Sequence, residues 1–170
     1  MSSKKTEVIK NAFTTISPII CNQLLNEADI WIDSGKYRAK ALWDTGATNS
    51  CISTKVAQTL SLIPTGQKDI RTPSGKDTVN TYLVNITLPN NVVIPDIEVC
   101  DSQIGNQGLD LLVGMDIINQ GDLSVTNFNG QTVFSFCIPS TKRIDYVKEI
   151  KLENLIGPKH GSGTKKRKKK

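Results

Sequence analysis

The strongest limit on the fold is punctuation. Turn-forming residues break the chain roughly every 8 to 15 residues, and short alternating or apolar runs fill the gaps. "ADIWID" (28–33) and "KYRAKALW" (36–43) flank Ser34-Gly35, which predicts a hairpin with Gly35 at a positive-φ position. "QKDIRT" (67–72) and "DTVNTYLVNITL" (77–88) flank Pro73-Ser74-Gly75 in the same way. Val79, Tyr82, Val84, Ile86 and Leu88 give the second run a partial period of two. "VVIPDIEVCD" (92–101) contains Pro95, which donates no ladder hydrogen bond and so marks an edge or a bulge. "LSVTNF" and "QTVFSFCIP" flank Asn129-Gly130, a pair suited to a type I′ turn. Helical spacing is confined to "STKVAQTLSL" (53–62), closed by Pro64 and Gly66, and "MDIINQ" (115–120). "RIDYVKEIKLENLI" (143–156) reads equally as a strand or a short helix. The pattern predicts an all-β barrel or sandwich with one or two short helices.

The chain has 170 residues, 38% of them hydrophobic and 22% charged, which suits one domain with a real core. Its net charge of +5 is misleading, because Lys165 to Lys170 are all Lys or Arg. Without them 15 basic side chains stand against 16 acidic ones, so the body has no bias towards nucleic acid or membrane. The expected organisation is a flexible segment 1–14, a folded domain 15–140, an extension 141–156 of uncertain structure, and a basic tail 157–170. The tail is compatible with contact to nucleic acid or an acidic partner, and equally with a solvated end. No aromatics are interleaved with its charges to stack on bases.

"MSSKKTEVIK" lacks an apolar signal core, and no stretch approaches the roughly 20 apolar residues that span a bilayer. A soluble cytoplasmic protein without a membrane partner is the expectation. Cys21, Cys51, Cys100 and Cys137 include no Cys-x-x-Cys pair, which predicts buried, reduced thiols. The only histidine is His160, in the polar tail, so Ser-His-Asp, Cys-His and histidine-rich zinc chemistry are all disfavoured. A hydrolase built from this chain must work with carboxylates.

The segment "ALWDTGATNSCIS" (41–53) carries that carboxylate: an apolar run meets Asp44, then Thr45, Gly46 and Ala47. Roughly 60 residues later Leu111-Leu112-Val113 closes on Gly114 before a short helical run. Together, over residues 28–138, these features resemble the retropepsin-like aspartic proteases, with their D-T-G-A/S loop, glycine-tipped hairpin and later apolar pair plus glycine. The resemblance implies a single-lobe closed barrel or sandwich and an aspartic endopeptidase activity that needs neither cofactor nor metal. Asp44 would be catalytic, with Thr45, Gly46 and Ala47 forming its loop. Thr45 would bond a backbone group across a symmetry axis, while Leu112, Val113 and Gly114 would lie beneath. Thr72, Pro73, Ser74 and Gly75 would be the flap over a peptide bound in extended form, unless they are an ordinary surface turn.

A carboxylate activates water only beside a partner in the complementary protonation state. Asp33-Ser34-Gly35 is better explained as a turn, and no other Asp-Thr-Gly or Asp-Ser-Gly exists. The second acid must therefore come from a second copy, which implies a C2 homodimer. The sequence departs from the viral pattern at Thr48 and Met115, where an acid and an arginine commonly pair. Asp116 is expected to cap the helix that follows it. Trp31 and Trp43 are either core or interface residues, or substrate-binding aromatics. The alternative function is a binding or dimerisation module on the same fold without proteolytic activity.

Overall fold

A computed structural model describes residues 9–72 and 75–156 of the chain. The tail, His160, Pro73 and Ser74 lie outside the described residues. The ten strands are β1 (Asn11–Ser17), β2 (Leu24–Ile32), β3 (Gly35–Trp43), β4 (Cys51–Ser53), β5 (Gly66–Thr72), β6 (Gly75–Leu88), β7 (Val92–Ser102), β8 (Leu111–Val113), β9 (Asp122–Thr126) and β10 (Thr132–Ile138). The α-helices are α1 (Thr54–Thr59), α2 (Met115–Ile118) and α3 (Tyr146–Ile156). No helix among the described residues is long and apolar enough to cross a membrane.

Six strands close into a barrel in the order β2-β3-β8-β4-β7-β6, because β6 pairs back onto β2 at Trp31↔Asn85 and Asp29↔Thr87. Closure removes the sheet edges that six short strands would otherwise expose. Alternation explains which faces turn inward. Ala28 and Ile30 of β2, and Tyr82, Val84, Ile86 and Leu88 of β6, are buried, whereas Leu83 is exposed. Pro95 marks a bulge, as its missing N–H requires: Val84 pairs with Ile97 and Ile86 with Ile94, leaving Asn85 opposite both Pro95 and Asp96. Asp96 takes φ 48° there, and its N–H donates to Asn85 Oδ1 at 3.1 Å.

Outside the barrel lies a three-stranded antiparallel sheet, β1-β10-β9. Its first strand corrects the expected flexible start. Residues 11–14 pair in register with Ile138 to Ser135, and Phe13 is buried. Phe13, Phe134 and Phe136 surround Trp43, with ring centroids 5.0 to 5.9 Å from the indole. Tilted aromatic packing of this kind fastens the small sheet to the barrel. Trp43 Nε1–H is satisfied by Asn26 Oδ1. Trp43 is thus a core residue, while half-buried Trp31 donates to Thr87 Oγ1 at 3.0 Å beside the barrel closure.

Turn chemistry follows the sequence in one hairpin and departs from it in another. Asn129 (φ 54°) and Gly130 (φ 75°) take the positive values of a type I′ turn, closed by Gln131 N–H donating to Phe128 O at 3.2 Å. Gly35 does not adopt positive φ. It supplies room instead, since a Cβ there would sit 3.3 Å from Leu60 Cδ2. Helix α1 is shorter than the expected 53–62. Ser53 caps its start, and Ser61 turns left-handed (φ 51°) while Leu62 N–H donates to Ala57 O at 2.9 Å. That is a Schellman closure, reached before Pro64. The ambiguous segment 143–156 forms helix α3, started by Asp145 Oδ1 accepting Lys148 N–H at 3.1 Å. Its side chains through Leu155 are exposed. Of the four free cysteines only Cys100 is buried; the others are partly exposed, against expectation.

The run into α3 is clasped to β9. Asp122 accepts the Ser140 hydroxyl, Thr141 N–H and Lys142 N–H. The Ser140 hydrogen bond first, and the two backbone donors after it, hold the Asp122 carboxyl well below the usual carboxylate range. A depressed carboxyl contributes stability above its unfolded pKa of about 3.9 and loses it as pH falls through the folded value. In denaturant titrations Asp122→Asn is expected to be less stable than wild type at pH 7, with the gap shrinking progressively below about pH 4. Phe136→Ala, at a side chain with 0% exposure, is expected to cost about 3–5 kcal/mol in the same assay.

Candidate active site

Asp44 leaves the barrel where two parallel strands end side by side. Leu42 pairs with Leu112 and Trp43 with Val113. The ladder then continues one step, as Asp44 N–H donates to Val113 O at 3.0 Å. Because Trp43 points into the core, its neighbour must face the other way, and Asp44 emerges half-buried at the rim. Residues 44–50 form a loop that re-enters the barrel as β4, antiparallel to β8 through Cys51↔Leu112.

The loop folds on its own carboxylate. Gly46 N–H donates to Asp44 Oδ1 at 2.8 Å, and Ala47 N–H to Asp44 O at 3.2 Å. A Cβ on Gly46 would stand 3.1 Å from that carboxylate oxygen, so the absence of a side chain keeps the approach open. Thr45 and Thr48 are exposed and Ala47 is half-buried. Among the described residues no hydrogen bond engages the Thr45 hydroxyl. Asp44, Thr45, Gly46 and Ala47 are therefore brought together at an open surface.

Beneath them lies Gly114, and here glycine is obligatory. A Cβ would sit 2.6 Å from Asn49 C and 2.8 Å from its oxygen. Ser50, fully buried, locks this approach: its Oγ accepts Gly114 N–H at 3.0 Å and donates to Asp116 Oδ1 at 2.7 Å. Asp116 Oδ2 accepts Ser50 N–H at 2.8 Å. Two backbone bonds complete the floor, Met115 N–H to Ala47 O at 2.8 Å and Asp116 N–H to Thr48 O at 3.2 Å. Thus the positions of the missing charge pair, Thr48 and Met115, meet α2 and the loop through main-chain bonds.

Asp116 departs from its expected capping role. The N-cap position of α2 is Gly114, which makes no side-chain cap bond. Asp116 does accept Ile117 N–H at 2.9 Å in the first turn, but its other contacts tie the helix to Ser50. Ser50 was invisible to sequence reading, because a serine in a polar loop carries no sign of burial.

Leu112 and Val113 pair with the strand that leads into the loop, and Gly114 packs against Asn49 within it. Residues 66–72 and 75–80 form a separate arm. β5 and β6 pair from Gly66↔Thr81 to Thr72↔Gly75, and β6 meets β7 only from Thr81 onward. Residues 66–72 and 75–80 are accordingly two-stranded, a pairing that is marginal by itself. Thr65 N–H to Thr81 O, at 2.8 Å, anchors the base, where Thr81 is buried. Asp33 sits in the β2–β3 turn at the opposite end of β3 from Asp44, which leaves one acidic loop of this kind per chain.

A closed six-stranded barrel with a D-T-G loop seated on an apolar strand and glycine defines the retropepsin-like class. The sequence matches the family described as "gag-polyprotein putative aspartyl protease" over residues 31–120, and the chain belongs to that family. Its fold is similar to a retropepsin-like aspartic protease from Rickettsia conorii, with TM-score 0.51 and 14% identity, covering 79% of this chain and 99% of that one. Similarity extends to the simian foamy virus (mac) protease, with TM-score 0.41 and 22% identity over 56% of this chain and 91% of that one. The EIAV protease gives TM-score 0.45 and 18% identity, covering 59% and 91%. A search of curated protein sequences finds no match.

The floor makes a direct prediction. Gly114→Ala is expected to lower stability by about 1–3 kcal/mol through overpacking. Ser50→Ala should cost a similar amount, about 1–3 kcal/mol, by leaving Gly114 N–H without its partner and removing one of the two donors to Asp116 Oδ1. Both are read from urea midpoints; a change under a few tenths of a kcal/mol in both would contradict the floor's role.

Proposed function

We propose that the chain is an aspartic endopeptidase that works as a C2 homodimer, with one Asp44 from each copy forming the catalytic pair. The observation that carries this reading is the exposure of a rigidly supported Asp44 loop, one per chain, on an open rim. Two carboxyls about 3 Å apart cannot both ionise, so they share one proton. The ionised Asp44 takes a proton from water as the oxygen attacks the scissile carbonyl, and the protonated Asp44 donates to the carbonyl oxygen. Collapse of the tetrahedral intermediate then delivers a proton to the leaving amine.

Thr45 is assigned to the twofold contact. Its hydroxyl is exposed and makes no hydrogen bond among the described residues, which leaves it available to a partner across the axis. The arm 66–80, with Thr72, Pro73, Ser74 and Gly75 at its end, is assigned as the flap. A two-stranded element held at its base can close over an extended peptide and exclude water. Such a peptide would add strand-like hydrogen bonds along the cleft.

Peptide-digest assays test the proposal. Wild type is expected to cleave with an optimum below neutral pH, and Asp44→Asn to lose at least about 100-fold in rate. A rate rising steadily from pH 5 to pH 9 would contradict the shared proton. Sedimentation should give twice the 18.6 kDa chain mass, and a statine-type inhibitor should bind the dimer alone. Equal behaviour of wild type and Asp44→Asn would leave the fold as a binding or dimerisation module.

A further inference from the structure

The loop floor carries a second pair of groups that the proposed peptide chemistry does not use. Cys51 opens β4 and Cys100 lies near the end of β7, and the two are direct partners in a parallel ladder. Side chains of such partners leave the same face of the sheet. Neighbouring strands run about 4.8 Å apart, within the Cα separations of about 4.4–6.8 Å that a disulfide bridges. Cys100 N–H donates to Ser50 O at 3.0 Å, which fixes the register one residue from the cysteine pair. Cys51 is partly exposed, whereas Cys100 has 1% exposure.

We propose that Cys51 and Cys100 form a redox-active dithiol, which a low-molecular-weight disulfide of the glutathione class converts to an intramolecular disulfide. The neighbouring Cys51 thiol draws Cys100 below the usual thiol value, while Cys100 first and burial second push Cys51 above it. Cys100 takes up the Cys51 proton as Cys51, the residue nearer solvent, attacks the reagent. The reagent's S–S bond breaks, one thiolate leaves, and a mixed disulfide forms on Cys51. Cys100 then attacks the Cys51 sulfur, and its proton goes to the second departing thiolate. Two protein thiols are oxidised by two electrons, and one small disulfide is reduced to two thiols.

The inference concerns the thiols alone and holds whether or not the chain cleaves peptides. Its test is incubation of the full chain with oxidised glutathione, followed by thiol counting and peptide mass mapping. The four free thiols are expected to fall to two, with the peptides bearing Cys51 and Cys100 joined. Cys100→Ser should stop at one glutathione held on Cys51, and Cys51→Ser should leave Cys100 unmodified. The double variant Cys21→Ser/Cys137→Ser retains the pair and should still lose both remaining thiols, which guards against a misfolded single variant. Retention of all four thiols by wild type, or a bond involving Cys21 or Cys137, would overturn the proposal. So would an adduct on Cys100 in Cys51→Ser.

Discussion

The approach of Gly114 to Asn49 and Ser50 is the contact on which the rest of the site depends. It brings together two stretches separated by 64 positions in sequence, with a buried hydroxyl between them. Main-chain atoms come closer there than any side chain would permit. Everything above it inherits that placement: the turn of residues 44–47, the emergence of Asp44, and the seating of α2. A buried hydroxyl that accepts from one segment and donates to another is costly to leave half-paired, and that cost selects one arrangement.

Around this rigid centre the molecule grades outward into looser parts. The barrel has no open edge where β2 and β6 join, and its core residues are almost wholly removed from water. Among the described residues, 66–72 and 75–80 have strand pairing on one side alone, and α3 leaves Val147, Ile150 and Leu155 in solvent. Such a gradient suits the proposed site, in which one carboxylate is held still while a peptide is admitted beside it. Charged contacts are placed on the outside of this frame. Lys36 and Arg38 both reach Asp29, at 2.7 and 3.1 Å, across the β2–β3 hairpin.

Much of this was legible in the sequence because its cues are local. Alternation along β6, Pro95 at its bulge and Asn129-Gly130 at its turn each act within a few residues. The D-T-G loop and the strand before Gly114 were likewise found by short patterns. What escaped depends on partners far along the chain. Phe13 becomes core only because β10 brings Phe134 and Phe136 beside it, so the N-terminal strand looked like a frayed end. Ser61 closes α1 with a positive φ, an uncommon choice for serine that no pattern announces. Ser50 and Asp116 look like loop and capping residues until 64 and 66 positions of separation are folded away. Gly35 shows the reverse error, a glycine chosen for clearance against Leu60 and read as a turn requirement.

The indole of Trp43 has one further consequence. Strand side chains alternate, so moving β3 along its neighbours by a single residue would exchange every inward position for an outward one. Gripped by three phenylalanines, Trp43 is the peg that forbids this slip. Its bulk decides that the next carboxylate meets water, and an inserted or deleted residue in this strand would bury the acid and turn the peg outside.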